Sequence, residues 1–169
     1  MAGQSAAVEL RKQGYDGEIL MVSQEEHLPY DRPPLSKKII TREWDFEKIK
    51  LKDADFYSEN NIQLKLGHQI GQVDPVAKTI TTVSMEVIGY DVLILATGGR
   101  PRRLDVPGRD LDGIHQVLEY SDSLRVAEEL GAGAQRVVVV GGGFIGAEAA
   151  AALAEHGKQD RETDRSLAL

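Results

Sequence analysis

The stretch VVVVGGGFIGAE, residues Val137–Glu148, decides the fold. Gly141, Gly143 and Gly146 are spaced as G-x-G-x-x-G between an apolar run and an alanine-rich segment. Glycines at these positions permit a tight turn and a close approach of the backbone to a pyrophosphate, and the N-terminus of the following helix favours an anion. The pattern predicts a dinucleotide site on a strand–turn–helix unit. The alternative is a glycine-rich turn that serves packing alone.

The flanks of this turn predict a strand at 136–140 and a helix at 147–156, on which Ile145, Ala149 and Leu153 recur at helical spacing. A dinucleotide fold also needs an acidic residue about 20 positions further on, at the end of a second strand. The candidates there lie in a charged tail, KQDRETDRSLAL, without an apolar strand: they are Asp160, Glu162 and Asp164. We expect the tail, residues 158–169, to be disordered.

Two other segments have a related character. The run DVLILA at 91–96 is continuously apolar, as in a strand buried on both faces, and small residues follow it in TGG. Small residues at a strand end can bring the backbone close to a bulky ligand, although an ordinary turn explains them equally well. At the N-terminus, Gly3 and QSAAVELRK predict a helix at 3–13, which is similar to the end of another glycine motif or is simply an alanine-rich helix.

The remaining patterns predict further elements of both kinds. We expect helices around 53–58 and at 121–130, the second closed by Gly131. Strands are predicted at 18–23, 62–66, 69–73 and 78–83. The short strands after residue 60 indicate an antiparallel or mixed sheet.

The loop HLPYDRPPLSK, His27–Lys37, contains three prolines, two cations and a carboxylate. Prolines at this density exclude a regular helix or strand. The sequence therefore predicts a stiff, charged loop directly after the strand at 18–23.

Composition excludes several classes of function. The net charge of −7 argues against a nucleic-acid binder, and the absence of cysteine excludes disulfides, thiolate metal sites and cysteine nucleophiles. The four histidines show no ligand spacing, so we expect no protein-held metal. No apolar run approaches the roughly 20 residues of a membrane span, and no secretory signal is recognisable.

Taken together, the two glycine-rich segments, LILATGGRP and HLPYDRPPLSK resemble the FAD- and NAD(P)-dependent pyridine nucleotide oxidoreductases. The loop is most similar to the ferredoxin-reductase and apoptosis-inducing-factor branch, especially apoptosis-inducing-factor-like 3 proteins. The resemblance covers roughly residues 3–157. It implies an α/β fold: an incomplete Rossmann-like FAD-binding domain at 1–131 with a small β excursion, and the first βα unit of an NAD(P)-binding domain at 132–157.

The resemblance also implies roles for individual residues. Arg32 would contact the FAD diphosphate, Gln24 or Glu25 the adenosine ribose, and Ile70 and Gly71 the adenine. Further FAD contacts would come from Gly3, Ala96, Thr97 and Gly98. NAD(P)H would lie against Gly141, Gly143, Phe144, Ile145 and Gly146.

Lys37 and Glu148 are the residues expected at the reaction centre. The resemblance implies that Lys37 begins a helix near the flavin ring, where a cation stabilises the anionic reduced flavin. It also implies that Glu148 lies near the nicotinamide and forms an ion pair with Lys37. Two solvated charges are the alternative interpretation.

Two functions stay open from the sequence. The first is a reductase that passes electrons from NAD(P)H through FAD to a ferredoxin, a Rieske-type centre or a quinone-like acceptor, in the cytoplasm or in mitochondria. The second is a truncated, non-catalytic product that serves as an interaction module or is unstable. The sequence gives no oligomeric state and does not distinguish NADH from NADPH.

Overall fold

The computed structural model describes residues 1–102, 104–134 and 136–160. The α-helices are Ala2–Lys12 (α1), Phe46–Ile49 (α2), Ala54–Glu59 (α3), Tyr120–Gly131 (α4) and Phe144–Asp160 (α5). The strands are Ile19–Val22 (β1), Ile62–Lys65 (β2), Ile70–Asp74 (β3), Thr79–Thr82 (β4) and Val87–Gly89 (β5). A 3₁₀ turn lies at Pro33–Ser36.

These elements belong to two compact units. The first unit comprises Met1–Tyr30 and Lys50–Gly98, and the second comprises Asp31–Ile49 and the described residues from Gly99 onward. The predicted domain boundaries at 131 and 157 follow the family resemblance and stay a prediction.

The core of the first unit forms where α1 and α3 cover a parallel pair of strands. β1 and β2 pair with Ile19 opposite Ile62, and both side chains are buried with Ala7 and Tyr57. Ala7 comes from the small-residue face of α1, which lets the helix lie close to the strands. Burying apolar side chains from both helices and both strands stabilises this arrangement.

Arg11 ties the end of α1 to neighbouring loops. Its guanidinium donates hydrogen bonds to the carbonyl oxygens of Asn60 at 2.8 Å and Asn61 at 2.8 Å, and to those of Tyr15 and Gly17. The planar fork of an arginine is suited to several acceptors at once. One side chain thereby fixes the helix end against the turn that leads into β2.

The first unit also contains an antiparallel meander, β3–β4–β5. The turn between β3 and β4 is closed by the Asp74 carboxylate, which accepts hydrogen bonds from the backbone N–H groups of Val76 at 2.9 Å and Ala77 at 2.8 Å. Aspartate before proline is a typical turn-former for this reason. The predicted antiparallel pairing is confirmed for β3 and β4, whereas β2 pairs in parallel with β1 in a separate sheet. β5 is a strand that the sequence did not predict.

The second unit is packed from helices and loops. α5 buries Ala149 and Leu153 against Ile40 of the 31–49 segment, and Val126 and Leu130 of α4 pack on this cluster. The predicted helical spacing of Ala149 and Leu153 therefore marks the core-facing side of α5. All four predicted helices and the four predicted short strands are confirmed, with bounds shifted by one to four residues.

Two predicted strands are wrong. Residues 91–96 and 136–140, all of them described, form no named strand, and their side chains include exposed Val92, Leu95, Val138 and Val140. An apolar run becomes a strand only where a neighbouring backbone pairs with it, and the two sheets end at β1–β2 and β3–β4–β5. The two runs therefore belong to no named strand and leave several apolar side chains exposed, although Val137 packs against the core of the second unit.

Two smaller expectations also need correction. The proline-rich loop is not wholly irregular, because Pro33–Ser36 makes a 3₁₀ turn whose first residues are prolines with a suitable φ. Lys37 ends this turn and does not begin a helix. The sequence also predicts that residues 158–169 are disordered. α5 continues to Asp160, and the residues after Asp160 lie outside the described part of the chain.

No helix in the described ranges is both long and apolar enough to cross a membrane.

Candidate functional site

The glycine motif in the second unit forms a turn that only small residues fit. Gly141 has a φ of +116°, which L-residues with side chains rarely adopt. A Cβ on Gly146 would collide with the carbonyl oxygen of Gly141. A Cβ built on Gly143 would have no described atom within 4 Å, so the backbone there is open. These positions match the roles of glycine in a dinucleotide turn: a tight bend, close packing and room for a ligand.

The helix after this turn begins earlier than predicted. α5 starts at Phe144, and its first turn closes with a hydrogen bond from the Ala147 N–H to the Gly143 carbonyl at 2.9 Å. Phe144, Ile145 and Gly146 therefore belong to the helix and not to the turn. The side chain of Phe144 is 91% exposed, whereas Ile145 lines a cleft.

Lys37 and Glu148 form the predicted contact. The Lys37 ammonium lies 3.0 Å from Oε1 of Glu148. The Ser36 hydroxyl donates a hydrogen bond to the other carboxylate oxygen, Oε2, at 2.9 Å. The predicted ion pair is confirmed, and the structure adds a serine that the sequence did not single out.

These contacts favour the ionised form of Glu148. The hydrogen bond from Lys37, followed by that from Ser36 and the charge of Lys37, holds the pKa of the carboxyl below its ordinary value, and desolvation opposes them. An ionised acceptor strengthens the hydrogen bonds it receives. At neutral pH the site therefore presents a closed carboxylate–ammonium pair.

A cleft of about 280 Å³ opens beside the pair. Its lining is mostly apolar, and its charged members are Arg32 and Glu148; the complete set is Arg32, Pro33, Leu35, Ser36, Val117, Leu118, Ile145 and Glu148. Ligand pockets of folded proteins span about 300–1,000 Å³, so this cleft has room for one ring system and not for a whole dinucleotide. The lining therefore combines apolar side chains with one cation and one carboxylate.

Arg32 helps to build one wall of the cleft. Its guanidinium donates a hydrogen bond to the carbonyl of Leu118 at 2.5 Å. Leu118 is itself fixed by Asp122 of α4, whose carboxylate accepts hydrogen bonds from the N–H groups of Leu118 at 3.0 Å and Glu119 at 2.9 Å. The acid three residues after Glu119 at a helix start is a recognisable capping signal. No pattern in the sequence pointed to Val117 or Leu118.

The other residues predicted to contact FAD, Gly3, Ala96, Thr97 and Gly98, lie in the first unit. Gly3 and Ala96 are neighbours, since a Cβ on Gly3 would lie 3.5 Å from the Cβ of Ala96. Gly98 has a φ of +69°, and it follows Thr97 in an exposed segment. The close approach of Gly3 to Ala96 places α1 beside residues 96–98, the segment that we expect to contact FAD.

The expected ribose contact lies just beyond β1. The Glu25 carboxylate accepts a hydrogen bond from the Tyr30 hydroxyl, and the Glu25 backbone N–H donates to the Ser23 hydroxyl at 3.2 Å. The acidic candidate is thus held locally by a tyrosine of the proline-rich loop. Gln24 precedes it in the same bend.

The expected adenine contact lies on an edge of the meander. Ile70 pairs with Thr82, and the register shifts between Ile70 and Gln72, so that Gly71 sits in an irregularity of β3. Such irregularities expose backbone groups that the ladder does not use. This geometry fits the predicted use of backbone atoms at Ile70 and Gly71.

Fold and glycine turn define the class of protein. The chain belongs to the pyridine nucleotide-disulphide oxidoreductase family, whose model matches residues 1–165. The predicted α/β fold is confirmed by this match and by solved structures. A ferredoxin reductase from Rhodopseudomonas palustris has a TM-score of 0.86 and 34% identity over 92% of this chain. The putidaredoxin reductase–putidaredoxin complex gives a TM-score of 0.82 and 32% identity over 92% of this chain. Each likeness covers 38% of the solved chain.

The relatives similar in sequence have more specific names. A ferredoxin–NAD(P)(+) reductase of a Sphingomonas species is 40% identical over 92% of this chain and 37% of its own length. A rubredoxin–NAD(+) reductase of Pseudomonas putida is 40% identical over 94% of this chain and 41% of its own length. The chain therefore spans about two fifths or less of the length of these relatives.

Proposed function

We propose that this chain supports electron transfer from NAD(P)H through FAD to a small redox protein of the ferredoxin, Rieske or rubredoxin type, or to a quinone-like acceptor. The observation that carries the proposal is the Lys37–Glu148 pair, 3.0 Å apart beside an apolar cleft, with Glu148 in the helix that follows the glycine turn. The names of the relatives support the same reaction class.

In this proposal each group of the cleft has a physical task. FAD, when bound, supplies the two-electron acceptor for hydride and releases electrons singly. Lys37 places positive charge where a reduced flavin becomes anionic, and Glu148 holds the lysine in place. Arg32 maintains the Leu118 wall, in addition to the diphosphate contact that the resemblance implies. The apolar walls would lie against the ring of the bound cofactor.

The nicotinamide cofactor is assigned to the glycine turn at 141–143 and the start of α5. The bend at Gly141, the open backbone at Gly143 and the start of α5 suit a pyrophosphate. Phe144 and Ile145 would flank it.

The finer assignments belong to the same proposal. They are the particular similarity to apoptosis-inducing-factor-like 3 proteins and a cytoplasmic or mitochondrial location. Sequencing the transcript beyond both ends tests the first. Localising the tagged full-length product by microscopy tests the second.

The second candidate function is a non-catalytic interaction module. Exposed apolar side chains favour it: in the first unit Val92 and Leu95 are 82% and 68% exposed, and in the second unit Val140 is 71% exposed. Apolar side chains exposed in succession are typical of surfaces that a partner covers.

Flavin loading separates the two candidates. We expect the purified chain, after incubation with FAD and desalting, to retain a flavin absorbance. Under anaerobic conditions, NADH should bleach this absorbance. A chain that is folded by circular dichroism but retains no flavin would overturn the proposal and favour the interaction module.

Lys37→Ala is the finer variant in the same experiment. It should slow flavin bleaching, whereas the control Lys38→Ala should not, because Lys38 forms its ion pair with Glu43 and does not line the cleft. Equal rates in the two variants would contradict the role of Lys37.

A further inference from the structure

Ser36 and Lys37, adjacent in the chain, share one carboxylate. The Ser36 hydroxyl binds Oε2 of Glu148 at 2.9 Å, and the Lys37 ammonium lies 3.0 Å from Oε1. The two oxygens of Glu148 thus have different partners. Exchanging them would require both contacts to break, so the carboxylate plane is defined by the pair of neighbours.

The two partners differ in how firmly they are held. Ser36 is 5% exposed and sits in the 3₁₀ turn, where the Lys37 N–H donates to the Pro34 carbonyl at 3.1 Å. The Lys37 and Glu148 side chains are 42% and 34% exposed. An ion pair this exposed is weak alone, because water screens it and a long lysine loses rotamer freedom on pairing. A serine has one side-chain torsion and loses little.

The hydroxyl therefore supplies the rigid contact. A hydrogen bond to a charged acceptor is stronger than one between neutral groups. Its donor is fixed by Pro33 and Pro34, which pre-set the backbone of the turn. The lysine then meets a carboxylate that is already oriented.

We propose that Ser36 is a positioning residue that orients the Glu148 carboxylate so that Lys37 is held at the edge of the cleft. The proposal rests on the proposed function in one respect, namely that the cleft is where the redox cofactor reacts. The orientation itself concerns only residues of this chain.

Charged groups near the carboxylate support this assignment. Lys37 adjoins it and Arg32 lines the same cleft, while Arg32 donates to the Leu118 carbonyl. The low pKa of Glu148 has the Lys37 hydrogen bond as its largest cause and the Ser36 hydrogen bond as its second. Removing the Ser36 hydroxyl should therefore raise the pKa of Glu148, even though the Lys37 residue is still present.

The test is a carbon-13 NMR titration of the full chain with labelled glutamate side chains. The Glu148 signal is assigned by its loss in Glu148→Gln. We expect Ser36→Ala to raise the Glu148 pKa towards the ordinary glutamate value, and Ser36→Thr to restore it. Ser36→Cys, which nearly keeps the volume with a weak donor, should give an intermediate value and serves if the alanine variant fails to fold.

Ser123→Ala is the matched control. Ser123 is also buried in the second unit, and its hydroxyl has no hydrogen-bond partner among the described residues. Its removal should leave the Glu148 titration unchanged. A Ser36→Ala or Ser36→Cys titration equal to that of the unmodified chain would overturn the proposal, as would an equal shift in Ser123→Ala.

This titration needs no cofactor, so its outcome is independent of flavin loading. If the chain binds no flavin but shows the pKa shift, the proposed function is overturned and the role of Ser36 is supported. A chain that reduces flavin without the shift loses the Ser36 assignment alone.

Discussion

The first unit contains all five strands of the described chain, whereas the second unit is built from α2, α4, α5, the 3₁₀ turn and loops. In the first unit, backbone hydrogen bonds between strands and the packing of buried Tyr57 both hold the core together. In the second, side chains alone hold Ile40, Ala149 and Leu153 together. Yet the second unit holds the ion pair and the glycine turn. A proline-rich turn and the start of a helix are thus sufficient to bring two opposite charges together without a sheet beneath them.

The largest effect should come from emptying the core of the first unit. Tyr57 is 1% exposed, so Tyr57→Ala should lower the free energy of unfolding by about 3–5 kcal/mol. Urea denaturation followed by circular dichroism measures it. Val76→Ala is the control, because Val76 is 94% exposed and its truncation should change little. A loss below that of Leu153→Ala would reverse the ranking of the two cores.

A smaller loss should follow truncation in the second unit. Leu153→Ala removes a buried side chain of α5 from the cluster with Ile40 and should cost about 2–4 kcal/mol. Amide hydrogen exchange should accelerate in α5 more than in β1 and β2, because the two units have separate cores. Phe144→Ala, on the exposed start of the same helix, is the control. Uniform acceleration through the chain would show that the cores unfold as one.

The third effect concerns a polar contact in the first unit. Arg11→Gln removes the fork that binds the loops near residues 15–17 and 60–61, and should cost about 1–2 kcal/mol. Thermal unfolding measures it against Lys12→Gln, whose long exposed ion pair with Glu9 contributes little. Equal melting temperatures for the two variants would contradict the role given to Arg11.

The smallest effect should be a pH dependence of the second unit. Contacts with lysines hold the pKa values of Glu43 and Glu148 below their ordinary values. The stability they contribute is present above the ordinary glutamate pKa and is lost as pH falls through the lowered, folded-state pKa. Hydrogen exchange in α5 should accelerate over that acidic range, and less so in the double variant Glu43→Gln, Glu148→Gln. An identical acid response in the double variant would exclude these carboxylates as its source.

Local chemistry explains what the sequence predicted well. Alanine-rich periodicity located α1 and α5, and the Asp74–Pro75 pair located the turn of the meander. These signals act over a few neighbouring residues, so a single sequence contains them. The spacing of Gly141, Gly143 and Gly146 likewise specifies its own backbone, as the collision at Gly146 shows.

Non-local chemistry explains what it missed. The runs at 91–96 and 136–140 have the composition of strands, but pairing depends on another segment that composition does not name. The Lys37–Glu148 contact came from the family resemblance, because nothing local relates two charges so far apart in the chain. Ser36 was missed since a hydroxyl in a loop carries no pattern until its acceptor is known.

The parallel pairing of β1 with β2 has a consequence for synthesis. Residues 31–49, which belong to the second unit, lie in the chain between these paired strands. A ribosome adding 5–20 residues per second needs about 2–8 s to make the segment between Val22 and Ile62. During that time β1 has no β2 to pair with, and its edge is available to chaperones or to other nascent chains. The order in which residues emerge, as well as the strength of the core, therefore sets when the first unit can fold.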